Sequence, residues 1–94
     1  MLFLVHMQVN IPDTVPAERA TQLKADEKAL AQELQRSGKW RHLWRVAGQY
    51  ANYSVFDVES NDELHNVLMS LPLYPFMKIE VTPLAQHPSA IAKN

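Results

Sequence analysis

Residues 2–10 alternate with a period of two. Phe3, Val5, Met7 and Val9 fall on one side, and Leu4, His6, Gln8 and Asn10 on the other. This pattern specifies a strand with one dry face, because successive side chains of extended backbone point to opposite sides. Such a strand cannot stand alone: it needs sheet partners and a layer to cover its apolar face. The rest of the chain supplies both in turn. Ile11-Pro12-Asp13-Thr14 interrupts the alternation, and Pro16 suits a first helical turn, where no amide hydrogen bond is lost. Residues 16–36 are rich in Ala, Leu, Gln, Glu and Lys, all good helix formers, and Ser37-Gly38 closes that helix. Residues 39–58 read as two strands with a turn near Gly48-Gln49. The first places Trp40, His42, Trp44 and Val46 on one face and Arg41, Leu43, Arg45 and Ala47 on the other; the second runs from Asn52 to Val58. Ser60-Asn61-Asp62-Glu63 has the form of a capping box. Leu64, Val67, Leu68 and Leu71 then recur at helical spacing until Pro72 stops them. Met77, Ile79 and Val81 alternate with Lys78, Glu80 and Thr82 in a last strand that Pro83 ends, leaving residues 84–94 as a polar tail.

The order β-α-β-β-α-β predicts an α+β, ferredoxin-like fold: a four-stranded antiparallel sheet with two helices on one face, in a single domain spanning residues 1–94. Apolar residues make up 47% and charged residues 20%, a globular composition rather than a disordered one. A chain this short buries only about 60–65% of the surface its unfolded form exposes. With helices over one sheet face alone, the apolar surplus predicts a homo-oligomer in which the open face, and with it the tail, meets other subunits. Nine Lys and Arg against ten Asp and Glu give a net charge of −1, which argues against a nucleic-acid or membrane-surface partner. No segment approaches the ~18–20 apolar residues of a membrane span. Met1-Leu2-Phe3-Leu4-Val5-His6 lacks the flanks of a secretory leader. The absence of cysteine excludes disulfides, cysteine-containing zinc sites, iron–sulfur clusters and thiol catalysis, and fits a cytoplasmic location. His6, His42, His65 and His87 show no paired ligand spacing, so no metal is expected. Neither a Gly-rich phosphate loop nor a G-x-S-x-G motif is present.

Three groups of residues could carry chemistry. The sheet-facing stripe of the first helix reads Ala20, Leu23, Glu27, Leu30, Leu34, with one carboxylate in an otherwise apolar row. Desolvation there would raise the pKa of Glu27 and make it a competent base near neutrality; the alternative is a seam-edge glutamate paired with Lys24 or another cation. Asp26 falls on the solvated side. Residues 39–45 interleave cations with aromatics. Arg41 and Arg45, read as sharing a strand face with Leu43, could clamp a small carboxylate, or pair with acids across the sheet or an interface. In Tyr50-Ala51-Asn52-Tyr53 the phenol and the amide, two residues apart, point the same way. They could donate to a developing oxyanion, or present polar tips to water. His42 reads as a packed, hydrogen-bonded histidine.

Several stretches resemble the muconolactone isomerase family. They are Leu23-Lys24-Ala25-Asp26-Glu27-Lys28, residues 38–45 with 48–58, Glu63-Leu64-His65, Leu71-Pro72-Leu73-Tyr74-Pro75-Phe76-Met77 and His87-Pro88-Ser89. The resemblance spans nearly the whole chain, and the central block is its most specific part. It implies a cofactor-free isomerase of catechol degradation by the β-ketoadipate pathway, converting muconolactone to 3-oxoadipate enol-lactone. It also implies a homodecamer with its sites near subunit contacts. On this resemblance Glu27 is the base, with Asp26 as fallback, and Tyr50 and Asn52 steady the dienolate oxygen. Lys39, Arg41, Arg45, His42 and Tyr74 are the candidates to bind the substrate. Chloromuconolactone dehalogenase shares much of the pattern. It, a methylmuconolactone isomerase and a non-catalytic ferredoxin-like ligand-binding oligomer are the competing readings. Asp26-Glu27 together with Tyr50-Ala51-Asn52-Tyr53 resembles the muconolactone isomerase more.

Overall fold

Phe3, Val5 and Met7 are almost wholly buried, while Leu4 and His6 between them are only partly so. Their strand, β1 (Leu2–Val9), is therefore dry on one side, as its alternation requires. In this computed structural model, which describes residues 1–92, β1 is followed by α1 (Ala17–Arg36), β2 (Trp40–Arg45), β3 (Ala51–Asp57) and α2 (Asn61–Met69). A short 3-10 turn (Tyr74–Phe76) then leads into β4 (Met77–Leu84). The strands form one antiparallel sheet in the order β2-β3-β1-β4. Leu30, Ala31 and Leu34 of α1 and Leu64 and Leu68 of α2 all pack on the cluster built by Phe3, Val5, Met7 and Phe56. Both helices thus cover the same face, giving the α+β ferredoxin-like arrangement. Each fully buried side chain of this size contributes about 1.5–3 kcal/mol, so this one layer supplies most of the drive to fold.

The ends of α2 follow from local chemistry. The Ser60 hydroxyl accepts from the Glu63 amide at 3.1 Å, and the Glu63 carboxylate accepts from the Glu59 amide at 2.8 Å. The box therefore closes one residue earlier than the S-x-x-E pattern implies. The Glu59 amide, and then Lys39 at 3.3 Å, hold the Glu63 carboxyl below the ordinary range. Gly48 sits at φ +78° in the turn between β2 and β3, a conformation that side chains with a Cβ rarely adopt.

Two expectations need correcting. Trp40, His42 and Trp44 do not share a face. The register with β3 slips between Trp40, opposite Phe56, and His42, opposite Val55. This bulge at Arg41 inserts one extra residue and reverses the phase of everything after it. Trp40 packs on Phe56 in the core (ring centroids 4.8 Å apart), while His42 and Trp44 stack on each other on the open face at 5.0 Å. Arg41, at the bulge, consequently does not share the face of Leu43 and Arg45. Nor does Pro83 end the last strand: β4 continues through it to Leu84. The strand lies at the edge of the sheet, where a residue without an amide hydrogen leaves no ladder bond unmade. The tail beyond it, residues 85–92, is exposed and adds no helix or strand, and positions 93 and 94 lie outside the described residues. No described helix is long and apolar enough to cross a membrane.

Ser60→Ala removes the acceptor that closes the α2 N-terminus. It is expected to cost about 1 kcal/mol of stability, read by denaturant unfolding at fixed protein concentration.

Candidate active site

The seam between α1 and the sheet is not closed along its whole length. Leu23, Leu30, Ala31 and Leu34 pack down, but Glu27, on the same stripe, is only half-buried and lines a cleft of about 460 Å³. The opposite wall comes from the sheet: Leu43 and Arg45 from the end of β2, Tyr50 from the turn, and Asn52 from β3. Leu73, in the connection after α2, closes the floor beside Val9 and Met77. The volume suits a small organic ligand.

Glu27 Oε1 accepts a hydrogen bond from the Leu73 backbone amide at 2.9 Å, across 46 positions of sequence. No Lys or Arg lies within ion-pair distance of it among the described residues. Desolvation by the apolar seam raises its pKa above the ordinary value of 4.5, and the Leu73 bond offsets part of that rise. One carboxylate oxygen is thereby fixed and the other is left for chemistry, the disposition expected of a general base. Around it the charge is reversed: Lys24, Lys28 and Arg45 line the same cleft against this single acid. Lys24 and Arg45 lie over the Tyr50 ring, 5.9 and 5.3 Å from its centroid. Asn52 is half-buried, and its Oδ1 accepts from the Ser54 hydroxyl at 2.7 Å. Trp40 forms part of the inner wall, with an indole N–H that is sealed from solvent and has no partner among the described residues.

Of the residues singled out from sequence, the chain brings Glu27, Tyr50, Asn52 and Arg45 into one cleft. The others stand elsewhere. Asp26 is exposed and accepts from the Gln22 side chain at 2.8 Å. Lys39 pairs with Glu63, and Arg41 pairs with Asp57 at 2.8 Å; both line a separate, polar groove. The clamp of Arg41 with Arg45 is therefore not assembled within one chain, because the bulge separates them. His42 stacks on Trp44 on the open face, and Tyr74 packs against the main core. Lys24 and Lys28 also line the cleft, a role the sequence pattern does not mark; three before and one after Glu27, they lie on one flank of it on the helix. Among the described residues, no group of three or more His, Cys, Asp or Glu is placed to hold a metal ion.

The family model described as muconolactone delta-isomerase matches residues 1–90. The chain belongs to the muconolactone delta-isomerase family. It is 65% identical over 91 residues to muconolactone delta-isomerase 1 of Acinetobacter lwoffii, covering 97% of this chain and 95% of that one. It is 63% identical over 91 residues to the muconolactone delta-isomerase of Cupriavidus pinatubonensis, covering 97% and 99%. A crystal structure of muconolactone isomerase superposes with a TM-score of 0.91 at 64% identity, covering 100% of this chain and 98% of that one. A 5-chloro-2-hydroxyhydroquinone dehydrochlorinase from Burkholderia phenoliruptrix shares the fold alone, with a TM-score of 0.64 at 18% identity over 93% and 96% of the two chains. Within the muconolactone delta-isomerase family, this chain's cleft pairs one desolvated acid with three cations.

The raised pKa of Glu27 makes a stability prediction. Between the unfolded value and the raised folded value, the native state binds more protons than the unfolded state, so stability falls as pH rises through that window and stays lower above it. Glu27→Gln keeps an acceptor for the Leu73 amide and removes the titration. Thermal midpoints of the two proteins should differ least below about pH 4.5. Above it the difference should shift in favour of the variant.

Proposed function

We infer that the chain isomerises muconolactone to 3-oxoadipate enol-lactone, with Glu27 as the proton carrier. The observation that carries this assignment of roles is the pairing of a single, amide-anchored, desolvated carboxylate with facing hydrogen-bond donors under a cationic rim. The substrate is a five-membered unsaturated lactone bearing an acetate arm. Glu27 removes the proton from the ring carbon that carries the arm. The electron pair of that C–H bond moves through the conjugated ring and gathers on the lactone carbonyl oxygen as a dienolate. Asn52 Nδ2–H and the Tyr50 hydroxyl donate to this oxygen, where the charge develops. The protonated Glu27 then returns the same proton to the carbon alpha to the carbonyl. One C–H bond breaks, one forms, and the double bond has shifted with no net gain or loss of atoms. A carboxyl whose pKa is raised towards neutrality serves both halves, first as base and then as acid.

The acetate arm remains ionised throughout and needs a fixed counter-charge. Arg45 is the anchor, since its guanidinium lines the cleft without an acidic partner among the described residues. Lys24 and Lys28 add to the positive field over the entrance. The reading extends to assembly. The sheet face opposite the helices carries Trp44 and Tyr53, 56% and 46% exposed, next to Leu4 and His6. A cytoplasmic homodecamer, with this face and the tail in subunit contacts, covers it. Lys39, Arg41, His42 and Tyr74 lie outside the cleft of their own chain and reach a substrate only if such contacts carry them to a neighbouring cleft.

An ultraviolet assay on muconolactone generated in solution from cis,cis-muconate tests the roles. Glu27→Gln is expected to lower kcat by about 10²–10⁴-fold, the range for general acid–base catalysis, without loss of folded protein. Full activity in that variant moves the base elsewhere, with Asp26→Asn next to be measured. Arg45→Ala is expected to lower kcat/KM about 10–100-fold, as for a lost hydrogen bond to a charged group, mostly through KM.

A further inference from the structure

Ser54 breaks the pattern of its surroundings. It lies on the helix-facing side of β3, opposite Val5 of β1, between Asn52 and Phe56, and it is 0% exposed. Its buried neighbours on that side are Phe3, Val5, Met7 and Phe56, and it is the sole polar residue among the buried ones described. A hydroxyl in such a layer is disfavoured unless it is hydrogen-bonded, and alanine would fill nearly the same space. Its bond is to Asn52 Oδ1, at 2.7 Å. Asn52 lines the cleft, but Ser54 lies behind it and does not. Local rules of packing give way where function requires it.

We propose that Ser54 is a positioning residue that sets which end of the Asn52 amide faces the reacting lactone. A side-chain amide has an acceptor end and a donor end of nearly equal size, and rotation by a half-turn exchanges them. With Oδ1 held by the Ser54 hydroxyl, the two Nδ2 hydrogens are what Asn52 offers to the cleft. Only that orientation stabilises a developing oxyanion; the reverse one sets a carbonyl dipole against it. A donor fixed before the charge appears needs no reorganisation when it does. Ser54 touches neither substrate nor base, so it acts through Asn52. The inference rests on the reading of Asn52 as the oxyanion donor.

The test is a double-mutant cycle in the muconolactone assay, with thermal midpoints and quaternary state recorded for each variant. Ser54→Ala is expected to lower kcat about tenfold with KM within about twofold, the effect of one lost hydrogen bond felt in the transition state. Asn52→Ala is expected to lower kcat about 10²-fold. In the Asn52→Ala background, Ser54→Ala should change nothing further. Ser54→Cys, with a weaker donor in a similar volume, should fall between Ser and Ala, and decides the question if the Ala variant does not fold. An Asn52→Ala loss without a Ser54→Ala or Ser54→Cys loss overturns the positioning role and leaves the Asn52 reading standing. Equal Ser54→Ala losses in both backgrounds also overturn it. An Asn52→Ala enzyme with unchanged kcat removes the Asn52 reading, and this inference with it.

Discussion

A sheet covered by helices on one side has to keep that side dry, and in this chain the burden falls on the central strand. β1 is paired on both edges, so its inward residues Phe3, Val5 and Met7 are each flanked by two neighbouring strands and roofed by helix. Val5 and Met7 are 0% exposed as a result. The helices, the turns and the register of β3 all follow from satisfying that strand. The cleft exists because the seal is incomplete at one place. Towards the β2–β3 turn the inward row of β3 passes from Phe56 through Ser54 to Asn52, and the helix above it carries Glu27 where another leucine would close the seam. Function occupies the gap that packing leaves.

That gap sets up opposing electrostatic effects. Apolar surroundings disfavour the Glu27 carboxylate, while the Leu73 amide favours it. Lys24, Lys28 and Arg45 are too distant to form ion pairs with it, so they do not quench its basicity, yet they are near enough to attract an anion. A direct lysine bridge would have turned the same glutamate into a structural acid with a depressed pKa. The connection after α2 therefore matters chemically: it delivers a backbone donor, which steadies the carboxylate without bringing a charge.

Much of this was legible in the residues. Strand and helix periods differ enough that the order of elements could be read directly, and the stripe from Ala20 to Leu34 carried Glu27 to the seam. Tyr50 and Asn52 followed from the two-residue repeat of a strand. The bulge at Arg41 was not legible, because an extra residue in a strand leaves no mark in composition, and the paired-arginine clamp depended on an unbroken phase. Pro83 misled because a proline's effect depends on whether its strand is central or at the edge, and that is a property of the sheet. Leu73 enters through its backbone amide, which every residue but proline possesses. Lys24 and Lys28 look like any solvated helix flank until the opposite wall is in place.

The slip at Arg41 also distributes the chain's two tryptophans. Four positions apart on one strand, they end on opposite sides of the sheet: Trp40 2% exposed at the inner wall of the cleft, Trp44 56% exposed on the uncovered face. Indole emission depends on the polarity around the ring, so in the single chain the buried Trp40 and the exposed Trp44 report on different surroundings, each beside a different surface. A ligand in the cleft would alter the surroundings of the first, and the contact between sheet faces proposed above would alter those of the second. Intrinsic fluorescence can therefore follow both surfaces with no label added.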